Sequence, residues 1–182
     1  MAAHGGRSLT FAHMAAQKMA DERPPEKAVH KWNLFRAICL GGRQLGVSER
    51  ALSVLDALLS FHPETVLMGE NLIVFPSNEQ LSLRAKGMPY ATLRRHLAAL
   101  VDARLIVRRD SPNGKRFARK GRDGEIETAF GFDLGPLVAR AEEIEAIAEE
   151  IRVEQLGLRL AREKITLCRR DIVRLIETGM DE

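Results

Sequence analysis

Aromatic residues are scarce in this 182-residue chain, at 5%, with a single Trp and a single Tyr. A core must therefore be filled mainly by Leu, Ile, Val and Ala, and the 45% hydrophobic content is enough to fill one. Cysteine is nearly absent as well. Cys39 and Cys168 are too few and too far apart for a disulfide scaffold, and fit two reduced thiols. No apolar run approaches the roughly 20 residues that cross a bilayer, and the N-terminus lacks a charged-then-apolar signal pattern. A cytoplasmic location without membrane contact is expected. Catalytic patterns are missing too. His4, His13, His30, His62 and His96 do not pair with Cys or carboxylates at metal-ligand spacings. The Gly41–Gly46 segment lacks the Lys-Ser/Thr that completes a phosphate-binding loop. The paired acids Glu142-Glu143 and Glu149-Glu150 fall on the polar side of a helix. No catalytic residue, metal site, cofactor or small-molecule ligand is expected, and the chain reads as a binding protein rather than an enzyme.

What the chain does have is local positive charge. The net charge is only +3, yet the pI is near 9.1, so the basic character is concentrated rather than general. The stretch RRDSPNGKRFARKGRDG, residues 108–124, holds seven Lys or Arg against two Asp. Like charges repel, so such a loop implies a compensating partner. A lipid surface fits poorly, because the stretch has one aromatic and no amphipathic helical period. An acidic protein or a nucleic acid remains.

The surrounding pattern selects between them. Residues 1–27, with Gly5-Gly6 and Pro24-Pro25, read as a flexible arm carrying at most a short amphipathic helix on Leu9, Phe11, Met14 and Met19. Trp32, Phe35 and Cys39 share one apolar helix face, which Gly41-Gly42 ends. Ser48 is placed to N-cap a helix lined by Leu52, Leu55, Leu58 and Leu59 and stopped before Pro63. Residues 71–75 (NLIVF) read as a strand. Ser77 and Gln80 have capping-box spacing, and Lys86-Gly87 closes the helix they open. After a tight turn at Gly87-Met88-Pro89, a helix over 89–103 buries Leu93, Leu97, Leu100 and Val101. Strands at 105–109 and 126–133 then flank the charged loop. The fold class expected is mainly α with a small β component: a winged helix-turn-helix over residues 28–135, with the basic loop as the wing. From Pro136 to Thr178 the pattern is helical. Ile144, Ile147, Ile151, Leu158, Ala161, Ile165, Cys168, Ile172 and Leu175 alternate at three- and four-residue spacings, broken only by Glu154. This is one long helix, or two if Gly157 interrupts it. It either joins two copies into a homodimer or packs back on its own domain.

A DNA-reading helix needs a buried apolar face to fix it and an outer face of small residues and Arg. The 89–103 helix offers both: Arg95, Ala91 and Ala98 point away from the leucines, flanked by Arg94 and Thr92. Arg94 or Arg95 is suited to bidentate contact with guanine, worth about 1–3 kcal/mol of discrimination, and Thr92 to a phosphate or a thymine methyl. His96 lies on the flank. Ser77 and Arg109, with Asn113, Lys115, Arg116, Arg119, Lys120 and Arg122 of the wing, complete the expected contacts with double-stranded DNA. If about six wing charges neutralise phosphates, log K falls with log salt at a slope near −5.

The strings SERALSVLDALLSF, NLIVFPSNEQLSLRAKGM, ATLRRHLAALVDARLIVRRDSPNGKRFARKG and GEIETAFGFDLGPLVAR together resemble the RepC replication initiators of alphaproteobacterial RepABC plasmids. The similarity runs from Lys31 to Arg140 and more loosely through LCRRDIVRLI. It implies an initiator that binds the plasmid origin as duplex DNA. Chains of that family are about twice this length, so the sequence looks like the N-terminal DNA-binding half. A winged-helix transcriptional repressor would make the same DNA contacts, and a helical scaffold gripping an acidic protein is the reading from another class.

Overall fold

The computed structural model describes residues 11–113, 115–120 and 126–180. The first helix, α1 (Phe11–Asp21), lies in the stretch read as an arm with at most a short amphipathic helix, and its buried residues are alanines while Met14 is exposed. Ala16 and Ala20 are buried against a short helix formed by residues 135–139. Small side chains permit this approach from both sides: a Cβ on Gly135 would stand 3.1 Å from that of Ala20. Polar ties complete the docking. Arg23 donates to the carbonyls of Gly69 at 2.7 Å and Glu70 at 2.8 Å, and Lys27 meets Glu142 at 2.9 Å.

Strand β1 (Val29–His30) leads into α2 (Lys31–Gly41). Leu34, Ala37, Ile38 and Gly41 form its buried face. This corrects the expected stripe: Trp32 and Phe35 pack at its margin, edge to face at 6.3 Å, and Cys39 is exposed. Ser48 caps α3 (Glu49–Phe61), its hydroxyl accepting from the Ala51 amide at 3.3 Å. At the other end of α3, the buried Lys31 ammonium donates to the carbonyls of Leu59 (3.0 Å) and His62 (2.6 Å), satisfying groups the helix leaves open. Strand β2 (Val66–Leu67) pairs antiparallel with β1.

Strand β3 (Ile73–Val74) precedes α4 (Asn78–Arg84), and the capping box forms as its spacing predicts. The Gln80 amide donates to the Ser77 hydroxyl at 3.1 Å, and the Ser77 amide to the Gln80 side chain at 3.0 Å. Lys86 and Gly87 take left-handed φ of 59° and 73°, and the Gly87 amide closes onto the Ser82 carbonyl at 2.8 Å. Three residues later α5 (Tyr90–Asp102) begins, with Leu93, His96, Leu97 and Leu100 buried.

Strands β4 (Val107–Arg109), β5 (Phe117–Lys120) and β6 (Ile126–Asp133) follow. All pairing centres on β6, which takes β3 at Asp133 and Phe132, β4 at Asp133 to Gly131, and β5 at Phe130 to Ile126. Gly131 is required where β3 crosses close, since a Cβ there would lie 2.2 Å from the Val74 carbonyl oxygen. The stretch expected as one charged loop thus contains a strand. Ser111–Asn113 form a turn, but β5 and β6 are joined through 121–125, which lie outside the described residues.

After α6 (Gly135–Ala139), α7 (Ala141–Met180) is a single helix of 40 residues, unbroken at Gly157. Ile144, Ala148 and Ile151 are buried, and α7 packs on α2, where a Cβ on Gly41 would come within 2.9 Å of Ile147. From Arg152 to Gly179 every residue is exposed. The protein is mainly helical, with a small antiparallel sheet and a long C-terminal helix that packs at one end and projects at the other.

Candidate nucleic-acid interface

Three buried leucines, Leu93, Leu97 and Leu100, fix α5 against α3 and α4 and leave its opposite side open. Ala91, Arg94 and Arg95 are exposed away from the leucines, Thr92 is half-buried, and Tyr90 is exposed at the helix start. Pro89 supplies no capping side chain to the first turn. The amide end of a 13-residue helix is therefore left uncapped beside Tyr90 and Ala91. His96, expected on the flank, is buried instead, and its Nε2 has no hydrogen-bond partner. Burial first, then the nearby Arg95 and Arg50, hold its pKa below the usual histidine value. Arg50 itself is exposed in the first turn of α3. Nothing local in the sequence separates it from any solvated arginine; only the packing of α3 on α5 brings it near His96.

The basic hairpin divides into charges that face outward and charges that are engaged. Arg116 is engaged: it donates to the Pro76 carbonyl at 2.8 Å and to Asn78 Oδ1 at 3.0 Å, and lies over the Phe132 ring at 4.6 Å. It ties the root of β5 to the start of α4, beside exposed Ser77. Burial and the neighbouring Arg108 lower its pKa, opposed by Asp110. Arg109 is engaged more deeply. It donates from Nε at 3.1 Å and Nη2 at 2.8 Å to Asp133 Oδ2, and it also bonds Asp21. Asp133 is only 4% exposed, and its other oxygen accepts from the Gly135 amide at 2.7 Å. Burial pulls the Arg109 pKa down, but the two carboxylates outweigh it and the net shift is upward. The guanidinium of Arg109, expected to face DNA, thus joins α1, β4 and β6. Asn113 is likewise spent on a turn, accepting from the Ser111 hydroxyl at 2.7 Å and the Lys115 amide at 3.2 Å.

Lys115 and Arg119 are exposed, with Arg119 5.7 Å from the Phe117 ring that packs on Phe130. Arg108 is exposed and paired with Asp110 at 2.6 Å. The Lys120 backbone pairs with Ile126. Arg122 lies outside the described residues. Among the described residues no group of three or more His, Cys, Asp or Glu is arranged to hold a metal ion, and no helix is long and apolar enough to cross a membrane.

This arrangement can be set beside known proteins. A family model described as "Replication protein C N-terminal domain" matches residues 7–180. A protein described as "Putative replication protein C" from Sinorhizobium fredii (strain NBRC 101917 / NGR234) is 61% identical over 179 residues, covering 98% of this chain and 44% of that one. Another of the same description, from Rhizobium rhizogenes, is 51% identical over the same shares of each chain. The chain thus spans less than half the length of the curated relatives it matches. No solved structure matches it. By its sequence, over nearly its whole length, the chain belongs to the replication protein C N-terminal domain family.

Proposed function

We propose that this chain is the double-stranded DNA-binding part of a plasmid replication initiator, holding the replication origin in the manner of a winged helix-turn-helix. In this reading α4 and α5 are the helix pair, α5 enters the major groove, and the β5–β6 hairpin is the wing. The observation that carries the reading is the paired exposure of Arg94 and Arg95 on a helix whose opposite face is locked by leucines. The start of such a helix is where base edges are reached, and Ala91 lets the backbone come close.

The roles follow from which described charges are free. Arg94 and Arg95 read bases, with Thr92 beside them. Ser77, whose hydroxyl accepts inside the helix cap, still has its O–H to donate to a phosphate. Arg50, Lys115 and Arg119 supply phosphate contacts, and the sequence of the wing adds Lys120 and Arg122 to them. Arg109 and Arg116 are reassigned to holding the hairpin in place. About five phosphate contacts give a slope of log K against log salt near −4.5.

Selection of bound duplexes from a random pool, at a stated salt concentration, tests the reading. A defined consensus is expected, retained by plasmid origin DNA. Arg94→Ala or Arg95→Ala should cost about 1–3 kcal/mol on that consensus and relax it at one position. Equal affinity for every duplex, or unaltered selection by both variants, would reject the assignment.

A further inference from the structure

The projecting part of α7 has no use in the DNA-binding reading and stands independently of it. Beyond Ile151 the helix leaves the body, yet it continues to carry large apolar side chains in water. Leu158, Ile165, Ile172 and Leu175 are exposed by 52%, 61%, 56% and 74%. With exposed Ala161 and Cys168 they form one seam, spaced 3, 4, 3, 4 and 3 residues apart. A second stripe, begun by Val153, Leu156, Leu160 and Leu167, is broken at its heptad positions by Glu163, Arg170 and Arg174 and makes no comparable seam.

The seam's composition specifies its partner. Number Leu158, Ile165 and Ile172 as a positions and Ala161, Cys168 and Leu175 as d positions. Two copies placed parallel and in register stack Ala161 on Ala161 and Cys168 on Cys168, leaving two thin layers. They also set Lys164 at g against Arg169 at e, once on each side, with no compensating pair. Two copies placed antiparallel pair every a with a d. Leu158 then meets Leu175, Ala161 meets Ile172, and Ile165 meets Cys168, so each small side chain faces a large one. In this orientation g flanks g and e flanks e. Lys164 meets Asp171 of the second copy on one edge, twice by symmetry. Arg162 meets Arg169 on the other edge, and that repulsion is the cost.

We propose that residues 158–178 of α7 pair antiparallel with the same segment of a second copy, over about three heptads and roughly 30 Å. The flanking charges give a test whose signs differ between orientations, using surface substitutions on a segment that the body does not contact. The mass of the 182-residue chain is followed by sedimentation equilibrium across about 1–200 µM, where mass action fills a dimer. The parent chain should pass from monomer to dimer. Arg162→Glu, which turns two repulsions into two attractions, should tighten the dimer about tenfold, whereas Lys164→Glu should weaken it about three- to tenfold. Ile165→Glu, at the seam centre, should abolish it while circular dichroism shows the helix content retained. A parent chain that stays monomeric overturns the proposal, as does an Ile165→Glu variant that still dimerises. Tightening by Lys164→Glu, the outcome a parallel pair gives by matching the new carboxylate with Arg169, overturns it equally.

Discussion

At the scale of single residues, the structure separates arginines by what their guanidiniums already hold. Arg109 and Arg94 both read from sequence as DNA contacts, yet Arg109 joins a buried Asp133 to Asp21 while Arg94 stands in solvent. Arg109→Ala leaves the Asp133 carboxylate without its cation. It should cost on the order of 3 kcal/mol in a urea unfolding titration, the low end for a broken buried pair. Arg94→Ala should leave that midpoint unchanged. A stable Arg109→Ala protein with normal unfolding and lost DNA affinity would return Arg109 to the interface. His96 makes a second residue-scale prediction. Its pKa is lowered in the fold, so between that value and the unfolded value near 6.5 the unfolded chain binds more protons. Stability contributed by the neutral, buried ring is intact above about pH 7 and is lost as pH falls below about 6.5. Glu143, whose carboxylate Arg140 stabilises, acts in a separate window: its lowered pKa means stability lost only as pH falls below the usual carboxylate range. Urea midpoints at about pH 7.5 and about pH 5.5 should therefore differ for the parent chain and converge for His96→Leu. An unaltered difference in that variant would show that another group titrates.

At the scale of elements, what can be read from sequence is what is decided within a few residues. The Ser77–Gln80 box, the Ser48 cap, the Gly87 terminator and the leucine stripe of α5 all stand where local spacing puts them. Their hydrogen bonds and buried faces close within a few turns. Three features are hidden because their partners are distant. A short helix in the α1 stretch can be read from sequence, but its docking cannot: Ala16 and Ala20 pack against α6, more than a hundred residues on, and alanines give little amphipathic signal. β5 (FARK) reads as loop because its charges mask a strand that exists through pairing with β6. Arg109's role depends on Asp21 and Asp133, 88 and 24 residues away. Trp32 and Phe35 mislead in the other direction: bulk suggests the core face, while the smaller Leu34, Ala37 and Ile38 take it. The tie from Arg116 to Pro76 and Asn78 makes the hairpin root and the start of α4 one unit. Removing it with Arg116→Ala should lower duplex affinity, since the hairpin is then ordered only on binding. The slope of log K against log salt should stay the same, because Arg116 neutralises no phosphate in this arrangement. A slope reduced by about one would place its charge on the DNA instead.

At the scale of the whole molecule, the chain divides by where its apolar surface goes. From α1 to Ile151 one contiguous apolar core is gathered into the body, with only scattered apolar side chains such as Leu83 left outside, and α7 adds Ile144, Ala148 and Ile151 through its packing on α2. From Arg152 to Gly179 α7 contributes nothing to that core, and on the proposed pairing its apolar seam stabilises the fold through a second copy. Two consequences can be measured together. A chain ending at residue 151 should unfold at the same temperature as a dilute full chain, because no buried contact is lost. The full chain should then gain thermal stability as its concentration rises, by the mass-action term for a species that only the folded state forms, while the shortened chain should not. At about a hundred times the dimer dissociation constant that term is about 2.7 kcal/mol, enough to move a melting midpoint by several degrees in a domain of this size. Concentration-independent midpoints in the full chain would mean that the distal helix gains no stability from a second copy. A shortened chain that melts well below the dilute parent would mean instead that residues beyond 151 support the body directly.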